Sequence, residues 1–336
     1  MGQAGNVSIL GVGHSLGGIT RGNDDPVFAE LRAHPPPNSD IFAGLKCRRV
    51  LGPNESVTTI MIAAAKTALA GAKLVPEDVG MLLGSGSVGD YYAPNALSVV
   101  HQALGLSSNC RALALNTEYS TFPDAMKIAN DLIACGTMKT ALVVCGIDWT
   151  QHMNYTEAVC VAASDAAGAA VVGWSTDVSK FHLVDWENET DSSLYGAFRM
   201  APRPIATAPT PLPEAFTPPT MKIDDTIGRK AIMSFGIPTP PRVVARLLAR
   251  NTVTASDTTL VAHQVSTMIA EQWKSAIAPA LYVSTLEDLA DMVSASVPVN
   301  LSITFDQIRT NHLVLLGIGM EMHATALLYS RASPVA

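Results

Sequence analysis

Short runs of Val, Ile, Leu and Ala recur along this chain, separated by longer stretches of helical period. A run such as "ALVVCG" at 141–146 has no polar face, so as a strand it must be covered on both sides. That leaves an α/β protein in which helices sandwich buried strands. Strands are expected at Val7–Val12, Gly80–Gly84, Arg111–Leu115, Ala141–Gly146 and Ala169–Val172. A second set is expected at His182–Trp186, Thr259–Ala262, Val299–Ser302, Val314–Leu316 and Ala324–Tyr329.

Helix ends can be read between them. Pro53-Asn54-Glu55-Ser56 opens an Ala-rich run through Ala72, and Pro94 to Leu104 is a second. Phe122 to Cys135 is closed by Gly136 as a C-cap, and Pro241–Arg250 and Gln264–Ile277 complete the set. The stretch "MAPRPIATAPTPLPEAFTPP" cannot be a helix interior or a central strand, so a covering loop is expected over 200–220. Strands and helices follow one another similarly on its two sides, which suggests duplicated halves at 1–175 and 176–336.

Composition narrows the class. The 336 residues are 48% hydrophobic and 15% charged with a formal net charge of -7, which describes a well-buried globular protein and argues against nucleic acid as the main partner. Cys47, Cys110, Cys135, Cys145 and Cys160 lie far apart without CxxC pairing, as expected of reduced thiols in a cytoplasm with no zinc ribbon. No apolar run reaches the roughly 18 residues of a membrane span; Ser164 and Asp165 interrupt the nearest approach. "GVGHSLGG" at Gly11 lacks the GxGxxG spacing of a dinucleotide site.

Six blocks in series carry a resemblance: Arg49-Val50-Leu51-Gly52-Pro53-Asn54-Glu55, "GTMKTALVVCGID", "SDAAGAAVV", "LVAHQVSTMI", "SASVPVNL" and "LLGIGMEMHATALL". In that order they resemble the β-ketoacyl carrier-protein synthase III family over nearly the whole chain. The resemblance implies a thiolase fold, two duplicated α/β halves in a five-layered α-β-α-β-α arrangement, usually as a homodimer. It also implies acyl thioesters of coenzyme A or of the phosphopantetheine arm of an acyl carrier protein as substrates, with no further cofactor.

Condensing members of that family use a Cys at the start of a buried helix, a His in HQAN and an Asn in GN-x-SxASxP. The thiolate takes the acyl group, while His and Asn stabilise an enolate. By resemblance, Tyr119 stands at the Cys position, His263 is the family histidine with Ser266 in place of its Asn, and Asp291 stands where the second Asn belongs. The glycine turn reads Gly317-Ile318-Gly319-Met320-Glu321. A phenol of pKa about 10 is roughly 0.1% ionised at pH 7, so Tyr119 reads better as a hydrogen-bond donor or a filler than as a nucleophile. Asp291 would repel an enolate but would favour an imidazolium at His263, pointing to His263 as general base. Glu118 is a further candidate acid or base.

The resemblance makes Tyr91, Tyr92, Ala93, Phe122 and Met320 lining candidates, and Arg48 and Arg49 part of a basic entrance. Arg242, Arg246 and Arg250 recur at i, i+4, i+8, either as a solvated helix face or as a dock for an acidic carrier protein or coenzyme A phosphates. Cys160 is either a substitute nucleophile or a buried thiol. Two functions follow. One is an acyltransferase of specialised metabolism that moves an acyl group to an alcohol or amine without decarboxylative condensation. The other is a catalytically silent subunit that forms a heterodimer with an active homologue.

Overall fold

The computed structural model describes residues 5–37, 40–89, 94–201 and 219–332. Ten strands hydrogen-bond in one order. On one side it runs Leu281–Val283, Thr258–Ala262, His312–Gly319, His323–Ser330, His182–Thr190. It continues Asn6–Leu16, Ala166–Ser175, Thr140–Ile147, Met81–Ser87, Arg111–Ala114. The two sets of five join at the Ser8–His182 pairing. Outward from that join, each set makes two antiparallel pairings and then two parallel ones, so order and direction repeat.

Three apolar cores define the layers. Helices Thr121–Ala134 and Ser296–Thr304 lie between the two sets of strands, where Phe122, Met126 and Leu301 meet Val143, Leu315 and Leu327. Val57–Ala72 and Leu97–Leu104 cover the outer face of the first set, and Thr239–Arg250 and Thr267–Ile277 that of the second. The result is the expected five-layered α-β-α-β-α stack. Each large aliphatic side chain buried in it contributes about 1.5–3 kcal/mol.

Local chemistry sets the helix starts. Ser56 caps Val57–Ala72 through a capping box with Thr59, so the helix begins just after the expected Pro-Asn-Glu-Ser opening. The glycines at 11 and 13 serve packing: a Cβ at Gly13 would sit 2.3 Å from the Ala64 carbonyl oxygen and one at Gly11 2.4 Å from that of Ala68. Strand and helix backbones touch there. Gly13→Ala is expected to lower stability by about 1–3 kcal/mol, read by urea unfolding, because backbone must move to admit the methyl.

One expected strand is a helix. Val299–Ser302 belongs to Ser296–Thr304, whose first six residues are all buried. A helix enclosed on all sides shows no amphipathic period, so its β-branched residues mimic a strand. Two short antiparallel pairs were also not anticipated: Ile19–Gly22 with Cys47–Val50, and Phe198–Ala201 with Thr220–Ile223. The second pair flanks the proline-rich stretch, of which residues 202–218 lie outside the described residues.

Candidate functional site

Both middle helices begin at one place. Tyr119 lies in the turn Glu118–Ser120 that leads into Thr121–Ala134, and Asp291 precedes the turn Val293–Ala295 that leads into Ser296–Thr304. The two turns contact each other. Both are strained, with φ of 46° at Glu118, 52° at Ala290 and 47° at Val293, positions where non-glycine residues rarely sit. His263 follows the strand Thr258–Ala262, fixed by its N–H donating to the Leu316 carbonyl at 2.9 Å. The fold thus brings Tyr119, His263 and Asp291 together on the wall of one cavity.

This inner cavity is walled by Phe198, Ile232, Ile269, Trp273 and Met322 and encloses about 470 Å³, open mouth included. Part of its wall is a π-helical turn at Ile232–Gly236, pinned by the Trp273 indole N–H donating to the Gly236 carbonyl at 3.0 Å. The Tyr119 ring stacks on His263 with centroids 4.6 Å apart and planes 27° from parallel, and meets Trp149 edge-on at 5.7 Å. His263 Nε2 is 3.9 Å from Asp291 Oδ1, which accepts the Val293 N–H at 2.7 Å. His263 Nδ1 is buried without a hydrogen-bond partner among the described residues.

Burial governs the protonation states. It pushes His263 down to about 3, and hydrogen bonding at the Val293 backbone offsets only part of this. It pushes the Asp291 carboxyl up to about 8 despite the Val293 N–H. The expected imidazolium–carboxylate pair is therefore not what this closed site holds: near pH 7 the imidazole is neutral and the acid mostly protonated. Burial, with Asp291 and Glu118 close by, holds the Tyr119 phenol well above its usual value, which disfavours a phenolate.

Glu118 faces a second, outer cavity of about 890 Å³, mouth included, shared with Asn116, Tyr195, Phe198, Met320 and Glu321. Its Oε1 accepts the Ser87 hydroxyl at 3.0 Å, and Ser87 in turn accepts the Trp149 indole N–H at 3.2 Å. Its Oε2 is buried with no partner among the described residues. Burial, and less so the nearby Glu321 and Asp148, push the Glu118 carboxyl up to about 7.

Other expected residues lie elsewhere. Phe122 is fully buried in the core between the sheets, because the side chains of that helix turn pack inward on the strands. Arg48 is fully buried between Phe28 and Phe42, donating to the Val161 carbonyl at 2.9 Å and Asn23 Oδ1 at 2.8 Å, so it is no part of an entrance. Arg49 donates to Gly17 O at 2.8 Å and Thr20 Oγ1 at 2.6 Å, bracing its own hairpin. Tyr91, Tyr92 and Ala93 lie outside the described residues. Cys160 is buried, and burial pushes its thiol up to about 11, as suits an inert side chain.

The arginine stripe is spent on the neighbouring strand. Arg242 pairs with Glu189, Arg246 with Glu189 and Glu187, and Arg250 with Glu187 and Asp185. Helix residues at i, i+4, i+8 match strand residues at j, j+2, j+4, a ladder that leaves little free charge for a carrier protein. Exposed pairs of this kind contribute about 0.2–1 kcal/mol each, so Arg246→Ala, which removes two, is expected to shift stability by no more than about 2 kcal/mol in urea unfolding.

Two polar clusters went unnoticed. Gln264 Oε1 accepts the Thr285 N–H at 2.6 Å and the Asn300 amide at 2.9 Å, while its amide donates to the Ala290 carbonyl at 2.8 Å. Gln264 therefore positions the loop that carries Asp291; the signal available was a lone Asn in an apolar helix, which must find partners when buried. The other is Asp124, which accepts the hydroxyls of Ser120 at 2.8 Å and Thr117 at 2.9 Å and faces His323 at 3.4 Å. It clamps the turn bearing Glu118 and Tyr119 to the strand His323–Ser330.

The family model described as 3-oxoacyl-[acyl-carrier-protein (ACP)] synthase III matches residues 113–195, which include the Tyr119 turn. The β-ketoacyl-[acyl-carrier-protein] synthase III of Neisseria gonorrhoeae is 29% identical over 140 residues, 41% of this chain and 44% of that protein, so this match spans less than half of the relative. That of Gloeobacter violaceus is 28% identical over 298 residues, 85% of this chain and 87% of the relative. The synthase III structure from Pseudomonas aeruginosa superposes with a TM-score of 0.80 at 23% identity, covering 98% of this chain and 99% of that one. Among the described residues no helix is long and apolar enough to cross a membrane. With the five-layered repeat in place, these likenesses show a chain whose sequence is similar to the synthase III family and whose fold is that of the synthase III structures.

Proposed function

We propose that the protein transfers an acyl group from a coenzyme A or carrier-protein thioester directly to an alcohol or amine, with His263 as general base. The observation that carries this reading is the neutral, buried imidazole whose Nδ1 has no partner, on the wall of an apolar cavity. An acceptor X–H can donate to that nitrogen. As its proton moves to His263, X attacks the thioester carbonyl; the tetrahedral adduct then expels the thiolate, which recovers the proton from His263. Tyr119, kept protonated and stacked on the ring, fixes the imidazole plane and gives no covalent intermediate. Asp291, 3.9 Å from the ring, keeps its proton while the imidazole is neutral; its carboxylate form, reached as pH rises toward 8, would favour the imidazolium.

The test is incubation of the purified chain with octanoyl-coenzyme A, or an octanoyl carrier protein, and a panel of alcohols and amines. Product that forms unchanged in His263→Ala removes the proposal. A second reading is favoured by the Tyr119 ring lying flat on the imidazole, where it covers one ring face. In that reading the protein is the silent member of a heterodimer. Turnover only after a homologous synthase is added, still intact in His263→Ala, would establish it; a homodimer active alone would exclude it.

A further inference from the structure

Glu118 and Tyr119 are adjacent, yet their side chains line different cavities, because the backbone at Glu118 turns through a positive φ. The inner cavity is apolar and the outer one is not. Glu321 reaches back toward the same turn: a Cβ on Gly319 would lie 2.9 Å from Glu321 Oε2 and 3.0 Å from the Thr117 carbonyl oxygen. Glu118 and Glu321 are near enough to repel, and the Glu118 Oε2 that is buried there has an unused lone pair. Tyr195 and Phe198 add ring faces to the same wall. The one cation among the described lining residues, Arg199, is held by Asp224 at 3.1 Å and the Gly196 carbonyl at 2.7 Å.

We infer that the outer cavity is the acceptor site and that it selects a protonated primary amine over an alcohol, seating the ammonium between Glu118 and Glu321. This names the acceptor class and rests on the acyl-transfer reading above. A cation there relieves the carboxylate repulsion, supplies the donor that Glu118 Oε2 lacks, and can lie against aromatic faces. An alcohol supplies one donor and no charge. In turnover the ammonium gives one proton to the Glu118 carboxylate. The amine nitrogen attacks the thioester carbonyl, the C–N bond forms and the C–S bond breaks, and a second N–H proton leaves with the departing thiolate. The products are an amide and a free thiol.

Isothermal titration calorimetry of the full chain with n-hexylammonium, 1-hexanol and hexanoate tests this without an acyl donor. Hexylammonium is expected to bind at least about tenfold more tightly than the other two, and Glu321→Gln to weaken it about tenfold while the unfolding temperature stays in place. Glu321→Lys should abolish ammonium binding. In buffers of different ionisation enthalpy, binding near pH 7 should release part of a proton as Glu118 ionises, a release absent in Glu118→Gln. Equal affinity for hexanol, or an ammonium affinity unchanged in both Glu321 variants, overturns the assignment. Ammonium binding without any amide product would leave the cavity's preference standing and remove acyl transfer; alcohol esters formed without ammonium binding would do the reverse.

Discussion

Replacing His263 with alanine is expected to lower the proposed acyl transfer by about 10²- to 10⁴-fold, the usual contribution of a positioned general base, with most of the loss on kcat. An acyl chain would rest on the apolar walls of the inner cavity, which the substitution leaves in place, so KM is expected to move little. Tyr119→Phe distinguishes direct transfer from a tyrosyl ester: direct transfer predicts a rate within a few-fold of wild type, whereas a covalent route predicts loss comparable to His263→Ala. The phenol's burial beside two acids already argues for the first outcome. Both variants need a thermal melt alongside, because His263 is fully enclosed and its truncation opens a void that itself costs about 2–4 kcal/mol.

Asp291→Asn should stabilise the protein, and by an amount that depends on pH. The Asp291 pKa is raised from an ordinary 3.8 to about 8, so its neutral form is the one the fold accommodates. Its contribution is complete below about pH 4 and is lost as pH rises through 8. The asparagine variant, which cannot ionise yet still offers an oxygen to the Val293 N–H, should match wild type near pH 4 and gain on it up to pH 8, then run parallel. The gain is read as a melting temperature of the variant that climbs above that of wild type across this window. Glu118 works in the same direction over a window ending near 7, and His263 works oppositely, losing stability as pH falls from 6.5 toward 3. If Asp291 balances the imidazolium, the same substitution should slow transfer and remove a rise in kcat/KM near pH 8. A variant that is more stable and slower would show that the acid is retained for chemistry.

The strands buried on both faces were legible because continuous Val, Ile, Leu and Ala runs have few other uses. Ser296–Thr304 was not, since a helix with apolar surroundings on every side loses the period that identifies it. His263 and Asp291 could be named from the blocks around them, but their protonation could not, because it depends on how completely the two sheets enclose them. The arginine stripe was visible and its partners were too, as Asp185, Glu187 and Glu189 alternate in plain view. What the linear text withheld was that the helix lies over that strand. Arg48 was misplaced for a related reason: a buried guanidinium and an exposed one look the same until the aromatic rings of Phe28 and Phe42 close on it.

The two strained turns occupy equivalent places in the repeat, one ahead of each middle helix. The candidate site therefore draws on both repeats, with Tyr119 from the first and His263 and Asp291 from the second. Identical turns would offer the same side chain twice; here one presents a phenol and the other a carboxylic acid to a shared imidazole. Substitutions at 118–119 and at 290–291 should consequently be coupled, with double variants departing from the sum of the singles, although 172 positions separate Tyr119 from Asp291 along the chain.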